Sequence, residues 1–209
     1  QSQLYWADRG KPVDQVEIRE ALQNIIVQLC RVDDIVRHIR SFAALDQTVD
    51  TSACDLNDIV DGALQLLGAK MTNHNIRRTM QLAIPLPPVQ GNPHRLEEVV
   101  ANLLLNAMQA FDQSAAPDKE LICRTFADTA AVTLEIDDNA TGIAPEHVGR
   151  IFEPLYTTKA ASEGMGLGLS LCQTVISSYR GTITAENNAH GGATFRIRLP
   201  LPQTRESAP

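Results

Sequence analysis

The sequence predicts an α/β protein, a two-layer sandwich in which helices cover one face of a β-sheet, preceded by a long helix of the coiled-coil type. Three observations lead to this prediction. Residues 13–45 carry apolar side chains at alternating steps of three and four, the spacing of a heptad seam. Beyond them, segments of helical periodicity interleave with paired segments of strand periodicity. Gly, Pro, Asn and Asp mark the turns between these segments.

The composition limits the class of protein. The chain has 209 residues, 44% of them hydrophobic, enough for one ordinary domain plus an appendage. The net charge of −7 argues against a nucleic-acid partner. Four widely spaced cysteines without metal-ligand spacing indicate free thiols in a reducing compartment. No apolar run approaches the length of a membrane span and no signal peptide is recognisable, so we expect a cytoplasmic portion, with membrane attachment only through a missing N-terminal part.

The heptad seam of the first helix contains eight apolar residues: Ile18, Leu22, Ile25, Leu29, Val32, Val36, Ile39 and Ala43. The helix either lies on the globular core or packs against another helix. Charged residues on its other faces make the seam narrow, which favours a helical partner. Burying such side chains is worth about 1.5–3 kcal/mol each. We therefore predict an antiparallel hairpin whose first helix is mostly missing upstream, paired in a homodimer through residues 13–45.

The remaining elements are predicted in chain order. Residues 46–53 are polar and are expected to form a hinge. Asp55 is expected to cap the next helix, and Asn92 followed by Pro93 is a typical helix start. The predicted helices lie at about 56–70, 93–111 and 166–179, and the predicted strands at about 76–84, 120–127, 131–137, 182–187 and 193–199.

A polar stripe follows the predicted helix 93–111. It consists of Glu98, Asn102, Asn106 and Gln109. Such a stripe is most often the solvated face of a helix. Asparagine, however, supports an exposed helix less well than Glu or Lys. Amides on one face, one turn apart, can also offer oxygens to Mg²⁺ and N–H groups to phosphate, so both interpretations stay open.

Asp138 follows the predicted strand 131–137 and precedes Gly142. Its carboxylate can only accept hydrogen bonds, which suits the exocyclic amine of adenine and repels the O6 atom of guanine. An aspartate at this position is also common simply as a turn cap. Farther on, alternating glycines at 164, 166 and 168 open a helical pattern, which suits a phosphate at a helix start but is a weak signal alone.

Five motifs occur in order, and together they resemble the N, G1, F, G2 and G3 boxes of sensor histidine kinases, in the ATP-binding superfamily of gyrase, Hsp90 and MutL. Residues 54–200 resemble the catalytic domain, and 13–45 resemble the second helix of the dimerisation and phosphotransfer hairpin. The motifs are Asn102-Leu103-Leu104-Leu105-Asn106-Ala107, Asp138-Asn139-Ala140-Thr141-Gly142-Ile143, Phe152-Glu153-Pro154-Leu155-Tyr156-Thr157-Thr158-Lys159, Gly164-Met165-Gly166-Leu167-Gly168-Leu169 and Gly191-Gly192-Ala193-Thr194-Phe195.

This resemblance implies a Bergerat ATP-binding fold and a division of the chain. Residues 1–46 would be part of the hairpin, 47–54 a linker, 55–201 the catalytic ATP-binding domain and 202–209 a tail. It also implies the function: the γ-phosphoryl group of ATP passes to a histidine and is relayed to an aspartate in the receiver domain of a response regulator.

The resemblance further implies a set of nucleotide-binding residues. Asn106 would hold Mg²⁺, Asn102 would help to bind the phosphates, and Asp138 would read the adenine amine. Residues 157–166 would form a lid in which Lys159 meets the charge of the triphosphate. The implied ATP site comprises Asn102, Asn106, Gln109, Asp138, Gly142, Ile143, Tyr156, Thr157, Thr158, Lys159, Gly164, Gly166, Leu167, Gly168, Leu169 and Thr194.

The sequence departs from hydrolysing members of the superfamily and from complete kinases. Hydrolysing members carry a glutamate base one turn before the metal-binding asparagine, where this chain has Asn102, so slow hydrolysis is expected. A phosphoacceptor histidine followed by an acidic residue and a proline is absent, and His38 is followed by Ile39-Arg40 instead. We therefore expect nucleotide binding without self-phosphorylation and assign no residue a proton-transfer role.

Ala140 stands where the G1 box usually has its first glycine. If the position needs a positive φ, alanine is strained there by about 1 kcal/mol or more; otherwise the turn is of another type. A regulatory pseudokinase is the first rival interpretation, supported by Ala140 and the missing acceptor. An anti-sigma-type serine kinase is disfavoured by the long heptad helix, and a gyrase- or MutL-like ATPase by Asn102.

Overall fold

The structure is a computed structural model, and it describes residues 15–16, 18–26, 28–29, 51–114, 117–159 and 166–202. The described residues between 15 and 29 are helical and exposed to solvent. Six large apolar side chains of this segment are 39–63% exposed: Val16, Ile18, Leu22, Ile25, Ile26 and Leu29. The first four residues of the predicted seam therefore do not pack on the globular core. The other four, from Val32 to Ala43, lie outside the described residues.

Three long helices form one layer of the domain. They are α1 (Leu56–Asn73), α2 (Pro93–Asp112) and α4 (Gly168–Ser178), and the short α3 (Pro145–Val148) precedes the last of them. Asp55 caps α1 as predicted, because its side chain accepts a hydrogen bond from the Asn57 amide at 2.8 Å. Asn92 caps α2 through the Arg95 amide at 3.2 Å. None of the described helices is both long and apolar enough to cross a lipid bilayer.

A mixed five-stranded sheet forms the second layer. Its strands are β2 (Arg77–Leu82), β4 (Glu120–Ala127), β5 (Ala131–Asp138), β6 (Thr182–Asn187) and β7 (Ala193–Pro200), in the spatial order β2-β4-β5-β7-β6. The pairing of β2 with β4 is parallel, and the other three pairings are antiparallel. The α/β sandwich and its five predicted strands are confirmed.

The core lies between the two layers because strand residues alternate between the faces of the sheet. On β5, Val132, Leu134 and Ile136 are buried in the hydrophobic cluster that includes α2 and α4. The intervening Glu135 and Asp137 belong to the opposite face, where arginines of β4 and β7 contact them. Every residue of β5 except Glu135 is buried, so this strand is the centre of the sheet.

Two short features differ from the sequence-based prediction. Ser52–Cys54 form strand β1, which pairs antiparallel with β3 (Val89–Gly91), so these residues are not part of a polar hinge. Strands of three residues are too short for alternation to be visible in a sequence, and the buried Cys54 and Val89 reveal the pairing only in the structure. Helix α3 was also missed, because one turn carries no periodicity. The division of the chain into domains remains a prediction.

Candidate functional site

A cleft opens between the helical layer and the sheet, where β5 ends. It encloses about 670 Å³, a volume that includes its solvent-filled mouth. Its walls come from α2, the loop after β5, α3, the start of α4 and β7. The lining residues are Asn106, Ala110, Asp138, Gly142, Ile143, Ala144, His147, Ile151, Thr158, Lys159, Leu169, Ala193 and Phe195. Seven of the predicted site residues therefore meet in one cavity: Asn106, Asp138, Gly142, Ile143, Thr158, Lys159 and Leu169.

Asp138 is the only acidic residue among the described residues that line the cleft. It is the last residue of β5 and is only 5% exposed. Its Oδ1 atom accepts hydrogen bonds from the amides of Ala140 at 2.9 Å and Ala193 at 3.2 Å. Burial raises the pKa of this carboxyl, the two amide donors lower it, and the charge of Asp137 raises it further. Within the described part of the chain, Oδ2 has no hydrogen-bond donor, so it is available to a ligand.

Asp137 lies beside Asp138 but faces the other side of the sheet. Arg124 of β4 forms an ion pair with its Oδ2 atom, and Thr194 of β7 donates its hydroxyl to Oδ1 at 2.5 Å. This corrects the prediction for Thr194, whose side chain was expected at the nucleotide pocket. The register pairs Thr194 with Asp137, and directly opposed residues share a face. Ala193 occupies the cleft in its place.

The polar stripe of α2 is divided between the cleft and the neighbouring helix. Asn106 lines the cleft, and no hydrogen bond to its side chain is found among the described residues. Gln109 accepts a hydrogen bond from the Lys159 ammonium group, which also lines the cleft. Asn102 instead lies beside the start of α4, where a Cβ atom on Gly168 would be 3.9 Å from its Oδ1 atom. Asn102 does not line the cleft, and its role at the phosphates stays a prediction.

The loop from Asp138 to Ile143 forms one wall of the cleft and is held closely by the β6–β7 turn. Gly142 has a φ of +68°, and a Cβ atom there would lie 2.8 Å from Asn187 Oδ1. A Cβ atom on Gly192 would lie 2.0 Å from the Asp138 carbonyl oxygen. The φ angle of Ala140 is not positive, so the turn accepts alanine without backbone strain. The strain that was considered for Ala140 therefore does not arise.

Five further predicted residues are not among those that line the cleft: Tyr156, Thr157, Gly166, Leu167 and Gly168. Tyr156 does not line it; its hydroxyl lies 2.7 Å from His147 Nδ1, and the Arg150 guanidinium stacks over its ring at 4.3 Å. Thr157 is exposed and accepts from the Lys159 amide at 3.1 Å. The backbone of Gly166 packs on the Tyr156 carbonyl group, and α4 begins at Gly168 with Leu167 as its N-cap. Gly164 lies outside the described residues.

His147 and Phe195 are cleft residues that the sequence did not single out. His147 is on the one-turn helix α3, and Phe195 alternates with Thr194 on β7. The G3 resemblance contained Phe195, but its side of the strand is fixed only by the register. The described residues contain no group of three or more His, Cys, Asp or Glu side chains that could hold a metal ion.

The profile of the family described as histidine kinase-, DNA gyrase B-, and HSP90-like ATPase matches residues 91–203, more than half of the chain. The chain belongs to this ATPase family. Membership of this family implies that the domain binds ATP. The Bergerat fold expected from the motifs is confirmed, with the five-stranded sheet packed against helices.

Individual proteins similar to this chain include a transport sensor protein and a histidine kinase. The C4-dicarboxylate transport sensor protein DctS of Rhodobacter capsulatus is 29% identical over 192 residues, which are 92% of this chain and 28% of DctS. The nucleotide-free catalytic domain of the histidine kinase ThkA has a TM-score of 0.64 at 24% identity, covering 74% of this chain and all of that domain. ThkA in complex with the response regulator protein TrrA has a TM-score of 0.70 at 22% identity, covering 90% of this chain and 53% of that chain. The chain spans less than a third of DctS.

Proposed function

We propose that this chain is the ATP-binding catalytic part of a sensor histidine kinase, which transfers the γ-phosphoryl group of ATP to a histidine outside this sequence for relay to a response-regulator aspartate. The observation that carries the proposal is the arrangement of the cleft. The cavity is lined at one place by the buried carboxylate of Asp138. At another place it is lined by the Asn106 amide and the Lys159 ammonium group. An adenine base and a polyphosphate need these two kinds of partner.

At the base, Asp138 would accept a hydrogen bond from the adenine amine. Its Oδ1 atom is already held by two backbone amides, which fixes the direction of Oδ2. A carboxylate accepts from the amine of adenine and repels the carbonyl oxygen that guanine presents there. Apolar lining residues, Ile143, Ile151, Leu169 and Phe195, offer the flat base an environment without competing water. This pattern supports selection of adenine.

At the phosphates, Asn106 and Lys159 provide an oxygen and a positive charge. The Asn106 side chain has no protein partner within the described residues, so its amide oxygen can serve as a ligand for Mg²⁺, which prefers oxygen ligands. Bound Mg²⁺ would neutralise phosphate charge. The Lys159 ammonium lies in the cleft with Gln109 as one partner, a position from which it can contact a phosphate. Thr158 beside it offers a hydroxyl group.

The same arrangement favours transfer over hydrolysis. An ATPase that hydrolyses quickly needs a base for water, and Asp138 is the only carboxylate among the described lining residues. The Oδ1 atom of Asp138 is held by two amide donors, and its Oδ2 atom is assigned to the adenine amine. Phosphoryl transfer to a histidine depends mainly on positioning and on charge neutralisation. The chain's own residues therefore bind and orient the nucleotide, and the acceptor supplies the nucleophile.

The partners follow from the exposed helix and from the relatives. Six exposed apolar side chains between Val16 and Leu29 support pairing with a second copy of the chain in a homodimer through residues 13–45. The complex of ThkA with its response regulator supports a receiver domain as the second partner. The net charge of −7 supports neither a nucleic-acid partner nor attraction to an anionic membrane surface. A cytoplasmic location is part of the same proposal.

The test is phosphorylation in trans. The 209-residue chain is mixed with labelled ATP, Mg²⁺ and a separately supplied hairpin that carries the phosphoacceptor histidine. We expect an acid-labile label on the hairpin and none on the chain itself. A chain that binds ATP without labelling any of a panel of related hairpins would favour the pseudokinase instead.

Asn106→Ala tests the metal contact. Its ATP affinity should lose most of its dependence on Mg²⁺, whereas the matched variant Asn57→Ala, whose amide contacts Ala83 and Thr125 away from the cleft, should keep it. Calorimetric titrations with and without Mg²⁺ measure this difference. Equal metal dependence in Asn106→Ala and in the unchanged chain would contradict the assignment.

A further inference from the structure

Two consecutive asparagines at the end of β6 hold both ends of the loop that forms the base-reading wall of the cleft. Asn187 is the last residue of β6, and Asn188 follows it. The loop begins at Asp138 and ends at Ile143, and both residues line the cleft. We propose that Asn187 and Asn188, here named the asparagine clamp, are positioning residues for adenine recognition. This inference rests on the proposed function, because it concerns the same cleft.

Asn187 holds the far end of the loop through both atoms of its amide. Its Oδ1 accepts a hydrogen bond from the Ile143 amide at 2.7 Å, and its Nδ2 donates to the Ile143 carbonyl oxygen at 2.7 Å. The side chain thus pairs with Ile143 as the backbone of a neighbouring strand would. Both bonds are short, and together they engage the N–H group and the carbonyl group of one backbone residue.

The neighbouring glycine shows how closely the loop approaches Asn187. A Cβ atom on Gly142 would lie 2.8 Å from Asn187 Oδ1 and 3.0 Å from the carbonyl oxygen of Gly191. Any larger residue would push the loop away from the amide. The conformation of Gly142 and the two bonds of Asn187 therefore belong to one arrangement, which places Gly142 and Ile143 at the cavity wall.

Asn188 holds the near end of the same loop. Its Nδ2 donates to the Asp138 carbonyl oxygen at 2.8 Å, and its Oδ1 accepts from the amides of His190 at 3.0 Å and Gly192 at 3.1 Å. The latter two bonds shape the β6–β7 turn, but the bond to Asp138 crosses to another strand. Through it, the main chain of the residue that would read adenine is fastened to the turn.

The clamp is exposed at Asn187, so a purely stabilising role explains it poorly. Hydrogen bonds at an exposed position compete with water and contribute little to stability. Their effect on position is larger, because the loop between Asp138 and Ile143 contains no regular strand or helix. With Asn187 truncated, Ile143 loses both hydrogen bonds and the base would meet a looser wall.

The experiment compares the unchanged chain with Asn187→Ala, Asn187→Asp and the control Asn57→Ala. Asn57 also makes two hydrogen bonds through its amide, to Ala83 and Thr125, and lines no part of the cleft. Calorimetry gives the Kd of ATP and of ADP, thermal denaturation reports folding, and hydrogen exchange of residues 139–144 is followed without nucleotide.

We expect Asn187→Ala to raise the Kd of ATP and of ADP by the same factor, about tenfold, because the clamp acts on the base and not on the γ-phosphate. Asn187→Asp should weaken binding at least as much, since its carboxylate faces the Ile143 carbonyl oxygen. Exchange at residues 139–144 should become faster in both variants. Asn57→Ala should keep the original affinity and the original exchange in this loop.

Three results would overturn the inference: unchanged affinity in Asn187→Ala, an equal loss of affinity in Asn57→Ala, or unchanged exchange at residues 139–144. Failure of the proposed function looks different. In that case the unchanged chain itself fails to bind ATP, while faster exchange in Asn187→Ala still shows that the clamp holds the loop.

Discussion

Replacing Asp138 by asparagine separates the stability of the domain from its recognition of adenine. Asp138 is 5% exposed and burial raises its pKa, so the folded domain carries a charge in an unfavourable place at neutral pH. A group whose folded pKa lies above its unfolded value contributes stability that is complete below the unfolded pKa and is lost as the pH rises through the folded pKa. Asp138→Asn removes this pH-dependent loss of stability, so the nucleotide-free variant should be more stable at pH 7 than the unchanged chain.

The geometry makes the substitution conservative for the protein and unfavourable for the ligand. The asparagine Oδ1 can still accept from the amides of Ala140 and Ala193, so the loop keeps its shape. In the proposed complex the other atom becomes an N–H donor facing the adenine amine, which is also a donor. Loss of a hydrogen bond to a charged group costs about 1.5–3 kcal/mol, so the Kd of ATP should rise roughly 10- to 150-fold.

Two measurements on one pair of proteins test this reasoning. Thermal denaturation without nucleotide at pH 7 should give a higher Tm for Asp138→Asn, and the difference should shrink as the pH falls. Calorimetry should show the weaker ATP binding. Asp128→Asn is the control, and its Tm at pH 7 should change in the opposite direction, because the amides of Ala130 and Ala131 lower the pKa of this exposed carboxyl. A lower Tm with unchanged ATP affinity in Asp138→Asn would refute both parts.

Two further predictions concern the packing around the cleft. Gly192→Ala places a Cβ atom 2.0 Å from the Asp138 carbonyl oxygen, so it should destabilise the domain by about 1–3 kcal/mol and weaken ATP binding. Gly149→Ala, which adds a Cβ atom with no other atom within 4 Å, should do neither. Equal Tm values for the two variants would contradict this prediction. Burial raises the pKa of the Cys123 and Cys172 thiols to about 12, so neither should react with iodoacetamide in the native domain at pH 8, and mass spectrometry should find both alkylated only after denaturation.

The long elements could be predicted from the sequence because their periodicity and caps are local. Asp55 and Asn92 cap α1 and α2 as their sequence context indicated, and the five long strands were found within a few residues. The pairing of β1 with β3 could not be predicted, because it joins residues 35 or more positions apart through only three pairs. Such a pairing is decided by burial of Cys54 and Val89 in the finished domain.

The sequence predicted those residues of the site that lie within the five motifs. Asp138, Asn106 and Lys159 were identified, and the structure brings them to one cleft. His147 belongs to no motif, and its place depends on the packing of α3 at the cleft. The asparagine clamp was also missed, because asparagine near a turn is common and its contacts to Ile143 and Asp138 are 44 and 50 residues away in sequence.

Thr194 shows why a motif residue can be assigned to the wrong side of a sheet. Side chains on a strand alternate with a period of two, so a shift of one residue moves a side chain from the cleft to the opposite face. Asp137 opposes Thr194 in the register of β5 with β7, which puts Asp138 beside Ala193 on the cleft face. The adjacent acids therefore have separate surroundings: Asp137 forms an ion pair with Arg124, and Oδ2 of Asp138 has no hydrogen-bond donor among the described residues. The parity of the two strands, more than the identity of either residue, determines which acid faces the cleft.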